Sequence, residues 1–262
     1  MATYGISLLT LLPVRKTPSD KSEMVNQLLF GDLVEIKDHF ENWYLIESMD
    51  DAYEGWVDMK QLQKVSEETF NQILTSERFF SNDLINKCIL TEENIPVQIV
   101  LGSQLHNLKN GIFHIEGFSY TFEGDSYSAA VPPQINIIEK TALKYLNATY
   151  LWGGKSPFGI DCSGFVQMVY KMSGIFLKRD ASQQAKQGEL VNFIHETRPG
   201  DLSFFENDEG DLVHVGILLD NEHIIHASGK VRIDKIDHNG IFNVFEKKYT
   251  HKLRLIKRVF EE

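Results

Sequence analysis

Three residues in the C-terminal half of the chain have the types and the spacing that nucleophilic catalysis requires. Cys162 follows Asp161 at the start of a predicted helix, where backbone N–H groups and the helix dipole favour a thiolate over a thiol. His214 lies 52 residues further on in an apolar strand pattern, and His226 lies in the next such pattern. A nucleophile, a base and a group that orients the base form the general catalytic triad. These three residues are therefore the candidates for acyl-transfer chemistry.

Each of these residue types alone also has an ordinary structural explanation. A single cysteine is more often a buried small apolar residue, and a strand histidine is more often structural. We assign Cys88 that structural role, and also His223, because residues three apart on a strand point to opposite faces. No Cys/His cluster in the sequence completes a zinc site, so we expect no metal and no cofactor.

The charge of the chain is concentrated in its first half. Of the formal charge of −11 over 262 residues, all the excess lies in residues 1–130, which carry nine Lys and Arg against 20 Asp and Glu. Nucleic acid and anionic membrane surfaces both need a basic face, so the charge pattern argues against them as partners. It suits a partner that offers an amine.

The longest apolar run, residues 6–12, is too short to span a membrane. It follows no basic segment and precedes no small-residue cleavage site. We interpret it as a buried strand and expect a cytoplasmic protein, and we expect a monomer. The two cysteines allow at most one disulfide, which a chain of this length does not need.

Residues 1–65 read as five short strands separated by turn signals, a pattern typical of a small β-barrel. Their closing Gly-Trp-Val at 55–57 resembles that of bacterial SH3-like (SH3b) domains. Residues 66–80 show helical spacing after a capping pattern that begins at Ser66. Strand-like runs follow it, and we interpret residues 66–128 as a second, degenerate SH3-like barrel. Alternatively, these strands extend the first barrel or pack on the next domain.

Residues 129–262 form the third predicted domain. A helical face starts at Ile135, a Gly-rich loop covers residues 150–160, and a second helix follows over residues 162–173. Beyond residue 200 the pattern is one of alternating strands. The predicted fold class is therefore α+β, with helices packed on an antiparallel sheet and small barrels before them.

Five ordered motifs in this third domain resemble those of the NlpC-type cysteine peptidases, which cut peptidoglycan stem peptides. The run around the nucleophile reads Gly-Ile-Asp-Cys-Ser-Gly at 159–164. The motifs occupy residues 150–167, 179–184, 198–205, 214–217 and 225–229. The resemblance implies a papain-like fold, with Cys162 as nucleophile, His214 as base and His226 as the third, orienting residue. It also implies that the backbone around Cys162, with Tyr150 nearby, supports the oxyanion.

SH3-like barrels before an NlpC-type domain resemble the arrangement in the gamma-D-glutamyl-L-diamino-acid endopeptidases. Those enzymes cut after D-Glu in released murein peptides that begin with L-Ala-gamma-D-Glu, followed by meso-diaminopimelate or L-Lys. Their first SH3-like domain closes the cleft, so that only a free amino terminus fits. By resemblance, Glu23, Tyr53 and Asp161 surround that amine in this chain.

The residues around the substrate have alternatives. Glu23 is also explained as one more acid on an acidic barrel, and Asp161 as the cap of the helix that Cys162 begins. The alpha-carboxylate of D-Glu needs a partner, for which Ser163, Arg179 and Ser182 are candidates. An exported hydrolase acting on intact peptidoglycan is the rival function. The choice between diaminopimelate and lysine, and glycan binding by the barrels, stay open.

Overall fold

The structure, a computed structural model, describes residues 3–260. The chain forms two compact units, one from Met1–Pro132 with Gly153–Pro157 and the other from Pro133–Trp152 with Phe158–Glu262. About 46% of the chain is strand and 15% is helix. The chain as a whole is therefore mostly β, and the predicted α+β class overstates the helices. Among the described residues, no helix has the length and hydropathy of a membrane-spanning segment.

The first sheet of the N-terminal unit is an antiparallel barrel of seven strands in the order β3-β2-β6-β5-β4-β1-β7. Its inward faces carry an aliphatic cluster that includes Leu12, Leu28 and Val57. Four of the five predicted strands of residues 1–65 correspond to β3, β4, β5 and β6 of this sheet. The predicted buried strand over residues 6–12 is wrong, because β1 ends at Ile6, the chain bends over residues 7–10, and β2 begins at Leu11. The strands are β1 Thr3–Ile6, β2 Leu11–Arg15, β3 Met24–Leu29, β4 Leu33–Phe40, β5 Trp43–Ser48, β6 Glu54–Asp58 and β7 Gln63–Val65.

The rest of the unit contains one helix and two small sheets, in the orders β10-β9-β13-β12 and β11-β8-β14. Ser66 caps the helix as its pattern predicts, but the helix ends at residue 74 rather than at 80. Phe80 instead pairs with Gln104 and Tyr127 in a sheet and is fully buried. The elements are α1 Glu67–Leu74, β8 Arg78–Ser81, β9 Ile85–Leu90, β10 Ile95–Val100, β11 Gln104–His106, β12 Ile112–Ile115, β13 Phe118–Phe122 and β14 Ser126–Ser128.

One apolar cluster joins the barrel to these later sheets. Ile6 and Phe30 from the barrel pack in the same cluster as Cys88, Phe113 and Tyr120 from beyond residue 66. Because this core is shared, residues 3–132 behave as one compact unit. The division into separate domains at 65/66 stays a prediction.

The segment Gly153–Pro157 belongs to the N-terminal unit, which the sequence did not indicate. It contains β15, Lys155–Ser156, and the Lys155 N–H donates a 2.9 Å hydrogen bond to Gln27 Oε1 in the barrel. Gly153 has φ +75°, and a Cβ there would lie 2.4 Å from the carbonyl oxygen of Met24. Glycine is therefore required for this close approach.

The second unit is a strongly bent antiparallel sheet in the order β17-β23-β18-β19-β20-β21-β22, in which β22 also pairs with β23 and so closes a ring. Helix α3 packs against β19 and β20 and also contacts α2. The helix predicted from Ile135 and the one predicted from Cys162 are both confirmed. The elements are α2 Ile135–Lys144, β16 Gly159–Ile160, α3 Cys162–Lys171, α4 Ala181–Gln184, β17 Glu189–Val191, β18 Leu202–Glu206, β19 Leu212–Leu218, β20 His223–Ser228, β21 Lys230–Asp237, β22 Gly240–Asn243 and β23 Lys248–Arg258.

Candidate active site

Asp161 and Cys162 begin the buried helix α3. The Asp161 carboxylate accepts a 2.7 Å hydrogen bond from the backbone N–H of Gly164, which is the standard N-cap contact. Every residue of α3 is buried, and Cys162 is only 6% exposed. The nucleophile candidate therefore occupies the first helical position, as the sequence predicts, and has little contact with water.

The environment of the Cys162 sulfur differs from the expectation of a stabilised thiolate. Burial, with the nearby Asp161 charge, raises the pKa of Cys162 to about 11, although hydrogen bonds from the backbone N–H groups of Val215 and Ser163 act in the opposite direction. Desolvation of the charged form thus outweighs the helix N-terminus. At neutral pH the resting group is a thiol that needs a base.

The base candidates lie on neighbouring strands of the sheet that α3 contacts. His214 is on β19, one residue before Val215, and His226 is on β20; they are 6% and 1% exposed. His214 Nε2 lies 2.8 Å from His226 Nδ1, a hydrogen bond between the two rings. Gly216 stands opposite His226, and a Cβ there would lie 2.8 Å from the Cβ of His226. The absence of a side chain at Gly216 therefore leaves room for the side chain of His226.

His214 is neutral at physiological pH. Burial, together with the His226 and His251 rings, lowers its pKa well below the ordinary histidine value. The Cys162 sulfur contacts the backbone N–H of Val215, the residue after His214, so the thiol lies against the strand that carries the imidazole. A neutral imidazole in this position can accept the thiol proton at the moment of attack. The site is therefore suited to general-base activation of a thiol, and a resting thiolate–imidazolium pair is disfavoured.

Three further residues surround the two histidines, and the sequence reasoning missed all of them. His226 Nε2 lies 3.1 Å from Asp234 Oδ2, and Arg232 Nη2 donates a 2.8 Å hydrogen bond to Asp234 Oδ1. The His251 ring stacks on His214 with centroids 4.2 Å apart. His251 is in phase with Leu253 and Leu255 on β23, and this period-two pattern is the signal that could have found it.

Asp161 also belongs to a buried polar cluster at the start of α3. The Arg179 guanidinium is 1% exposed and donates to Asp161 Oδ1 at 3.0 Å, to Asp161 Oδ2 at 2.5 Å and to Ser163 Oγ at 2.9 Å. The structural explanation of Asp161 as a helix cap is thus confirmed. Ser182 is exposed on α4, and the described residues show no side-chain hydrogen bond for it. The binding roles of these residues toward substrate stay predictions.

Tyr150 lies close enough to the nucleophile to sense its charge. Burial, followed by the Cys162 and Asp161 charges, raises the pKa of the Tyr150 phenol to about 12. The phenol therefore keeps its proton at neutral pH and can act as a hydrogen-bond donor, which is what support of an oxyanion requires.

Glu23 and Tyr53 lie in the N-terminal unit. Glu23 forms an ion pair of 3.2 Å with Lys16, and the backbone N–H of Tyr53 donates to Asp51. Arg15 on β2 faces both Met24 on β3 and Trp56 on β6, so Glu23 and Tyr53 lie toward the same end of the barrel. Their placement around a substrate amine stays a prediction.

Among residues 3–260, no group of three or more His, Cys, Asp or Glu side chains is arranged to hold a metal ion. Both cysteines are free thiols.

Comparisons with known proteins agree with this arrangement. Residues 147–254 match the NlpC/P60 family, and residues 14–62 match the bacterial dipeptidyl-peptidase SH3 domain. The chain is 30% identical over 256 residues to the gamma-D-glutamyl-L-lysine dipeptidyl-peptidase of Bacillus subtilis, covering 90% of this chain and 81% of that one. It is 28% identical over 251 residues to dipeptidyl-peptidase 6 of Lysinibacillus sphaericus, covering 84% and 87%.

Among solved structures, an NlpC/P60 family protein from Bacillus cereus superposes with a TM-score of 0.81 at 19% identity, covering 98% of this chain and 99% of that one. At this identity the likeness establishes the fold, which is the papain-like fold of the family. Cys162, His214 and His226 all fall inside the matched segment, and the first relative is similar over most of both lengths. The chain belongs to the NlpC/P60 family of cysteine peptidases.

Proposed function

We propose that the protein is a gamma-D-glutamyl-L-diamino-acid endopeptidase that hydrolyses murein peptides with a free N-terminal L-Ala. The observation that carries the proposal is the presence in one chain of a buried Cys–His–His arrangement and a barrel matched by the dipeptidyl-peptidase SH3 domain. Two relatives that share these lengths of chain are named as dipeptidyl-peptidases. Murein peptides acquire a free L-Ala amine only when they are released from the glycan, so the proposed role is cytoplasmic peptide recycling.

The reaction begins with a proton transfer from Cys162 to His214. His214 takes the proton of the Cys162 thiol while the sulfur attacks the carbonyl carbon of the gamma-D-glutamyl amide. Backbone N–H groups at the start of α3, with the Tyr150 phenol, stabilise the oxyanion that forms. His214 then gives its proton to the leaving amine of the diamino acid, which leaves a thioester on Cys162. Water, deprotonated by His214, hydrolyses the thioester and restores the thiol.

Recognition of the free amine is assigned to Glu23, Tyr53 and Asp161. An ammonium group that leaves water needs carboxylates and acceptors around it, because unpaired burial costs several kcal/mol. The acidic N-terminal half supplies the sign of charge that such a group requires. Ser163, Arg179 and Ser182 remain the candidates for the D-Glu carboxylate. Since Arg179 already pairs with Asp161, its first role is to hold the start of α3.

One contact within the N-terminal unit supports the proposal that the first SH3-like barrel limits entry to substrates with a free amino terminus. The segment Gly153–Pro157 belongs to the nucleophile motif in sequence but packs on strand β3 of the barrel, next to the residue that follows Glu23. The barrel residues assigned to the amine and part of the motif around the nucleophile are therefore held in one compact unit. We expect this attachment to make substrate entry depend on the size and charge of the amino terminus.

The test compares L-Ala-gamma-D-Glu-L-Lys with its N-acetylated form, with mass analysis of the products. Acetylation removes a charged contact worth about 2 to 5 kcal/mol, so kcat/KM should fall by roughly two to three orders of magnitude. Glu23→Gln should narrow the gap by harming the free peptide. The matched control is Glu35→Gln, an acid of the same barrel that pairs with Lys37 on β4.

The pH dependence offers a second readout. The substrate amine loses its proton above about pH 8, whereas the pKa of Cys162 is about 11 and that of His214 lies well below its usual value. A decline in kcat/KM near pH 8 therefore reports on the substrate amine. Equal hydrolysis of acetylated peptide or of intact sacculi, or recovery of the protein from an envelope or culture fraction, would replace this proposal with the exported-hydrolase function.

A further inference from the structure

A line of buried polar groups extends beyond the third residue of the triad. His214 Nε2, His226 Nδ1 and Nε2, and Asp234 Oδ2 are joined by contacts of 2.8 Å and 3.1 Å. His226 is 1% and Asp234 7% exposed. Arg232 stands opposite His226 on β21 and pairs with both carboxylate oxygens of Asp234, with its Nη2 2.8 Å from Oδ1 and its Nε 2.7 Å from Oδ2. Three strands, β19 to β21, thus contribute one group each to a row that ends on a carboxylate.

The protons along this row can be assigned in sequence from its carboxylate end. Although burial alone would raise it, hydrogen bonds from His226 and Arg232 lower the pKa of Asp234, so the carboxylate is ionised and can only accept. The proton of the 3.1 Å contact therefore sits on His226 Nε2. In an imidazole with its single proton on Nε2, Nδ1 is the acceptor, so His214 Nε2 is the donor to His226 Nδ1. Only Nδ1 of His214 remains able to take the thiol proton.

We propose that Asp234 is a positioning residue that fixes the tautomers of both His226 and His214, and so leaves His214 Nδ1 as the base for Cys162. Asp234 also acts after the proton moves. The imidazolium formed on His214 gains a buried counter-charge two hydrogen bonds away, while Arg232 keeps the carboxylate in place. The inference rests on the cysteine-peptidase chemistry of the proposed function but not on its substrate.

The groups around His214 define how the effect should appear. His226 and His251 face it from β20 and β23, and Cys162 faces its strand from α3. Burial lowers the pKa of His251 to about 4, so that ring is neutral at pH 7 and supplies no competing charge. Asp234 is the anionic member of the row, and the Arg232 charge next to it reduces its field at His214. A change at Asp234 should therefore alter the tautomer strongly and the total charge of the site modestly.

The direct experiment needs no substrate. Two-bond nitrogen–proton correlation spectra of the histidine rings should show His214 and His226 both protonated at Nε2 and bare at Nδ1. The rate of Cys162 alkylation by iodoacetamide, followed by peptide mapping across pH, should then fall about 10- to 100-fold in Asp234→Asn. An amide can donate to His226 Nε2 and permit the reversed tautomers, whereas Asp234→Glu should recover part of the rate.

Asp220→Asn is the matched control. Asp220 contacts His223 at 3.0 Å in the same manner, but both side chains are about half exposed and stand outside the row. This variant should alkylate at the wild-type rate. The inference is overturned if the wild-type spectrum shows a proton on His214 Nδ1, or if Asp234→Asn keeps both the tautomers and the alkylation rate. If Asp234→Asn does not fold, the wild-type spectrum decides alone. Because alkylation uses no peptide, a failure here is distinguishable from a wrong substrate.

Discussion

Each unit of the protein contains one buried cysteine and at least one buried histidine with a strongly lowered pKa, and only in the second unit does such a histidine lie on the strand that the cysteine contacts. In the N-terminal unit, burial raises the pKa of Cys88 to about 12 and lowers that of His106 to about 4. In the second unit, burial raises the pKa of Cys162 to about 11 and lowers that of His214. Burial and the direction of the pKa shifts are therefore shared.

The difference lies in the partners. The Cys88 thiol makes a long 3.8 Å contact with the carbonyl oxygen of Val97, and His106 Nε2 lies 2.7 Å from the carbonyl oxygen of Gly31. Each of these two side chains therefore has a backbone carbonyl oxygen as its partner. In the second unit Cys162 instead meets backbone N–H groups, and His214 is held through its far nitrogen by another ring. In this protein the candidate nucleophile differs from Cys88 in contacting a strand whose histidine, His214, is hydrogen-bonded through Nε2 to a second histidine.

The largest difference between the two cysteines is expected when each is replaced in turn by alanine. Cys162→Ala should lower kcat by at least about 10⁴-fold, because the covalent step has no other nucleophile. Cys88→Ala should leave kcat unchanged and lower the free energy of unfolding by about 1 kcal/mol, through a small cavity in the shared core. Peptide hydrolysis and urea unfolding measure the two. A large kcat loss in the Cys88 variant would contradict the assignment.

Replacing His214 should make the reactivity of Cys162 similar to that of Cys88. In His214→Ala, the Cys162 thiol keeps its backbone N–H contacts but has no proton acceptor, so its alkylation rate at pH 7.5 should fall about 100-fold toward that of Cys88. His223→Ala, at a half-exposed histidine on the neighbouring strand β20, is the control. If His214→Ala is alkylated at the wild-type rate, the helix N-terminus alone generates the thiolate, as the sequence-based expectation had it.

Parts of the fold were predictable because local signals and tertiary packing agree. Ser66 caps α1 and Asp161 caps α3, where the polar side chain precedes the helical pattern. The sequence pattern nonetheless predicts that α1 extends to residue 80, six residues beyond its observed end at Leu74. Phe79 and Phe80 continue an apolar pattern, but pairing with β11 and β14 makes them strand residues. Long-range pairing of this kind has no local signature.

Within the site, Cys162, His214 and His226 could be singled out from residue type, order and spacing, whereas the residues that contact the two histidines could not. In β21 the alternation suggests that Val231 and Ile233 face inward and that Arg232 and Asp234 face water. The structure buries Val231 as the alternation suggests, but it also buries Asp234 and leaves Ile233 39% exposed. At Ile233 and Asp234 the apolar side chain is thus exposed and the polar one is buried. A period-two pattern in the sequence therefore does not predict the polar row behind His226. Such a reversal is where a functional constraint overrides local pattern.

The smallest expected effect concerns the structural histidine of the comparison. His106 is buried, its Nδ1 has no hydrogen-bond partner among residues 3–260, and it is neutral in the folded protein. In the unfolded chain its pKa is about 6.5, whereas in the folded protein it is about 4. Between these values the unfolded state binds more protons, so stability is complete above pH 6.5 and declines as the pH falls toward 4.

Lowering the pH from 7.5 to 5 should therefore remove about 2 kcal/mol of unfolding free energy through His106. His106→Gln removes this titration while its side-chain amide can still donate to the carbonyl oxygen of Gly31. Its stability should decline less over the same range, and the residual slope should come from His214 and His251, whose pKa values are also lowered. Urea unfolding of the full chain at several pH values measures both slopes. Identical slopes would mean that His106 does not titrate on unfolding, and the likeness between the two histidines would then end at burial.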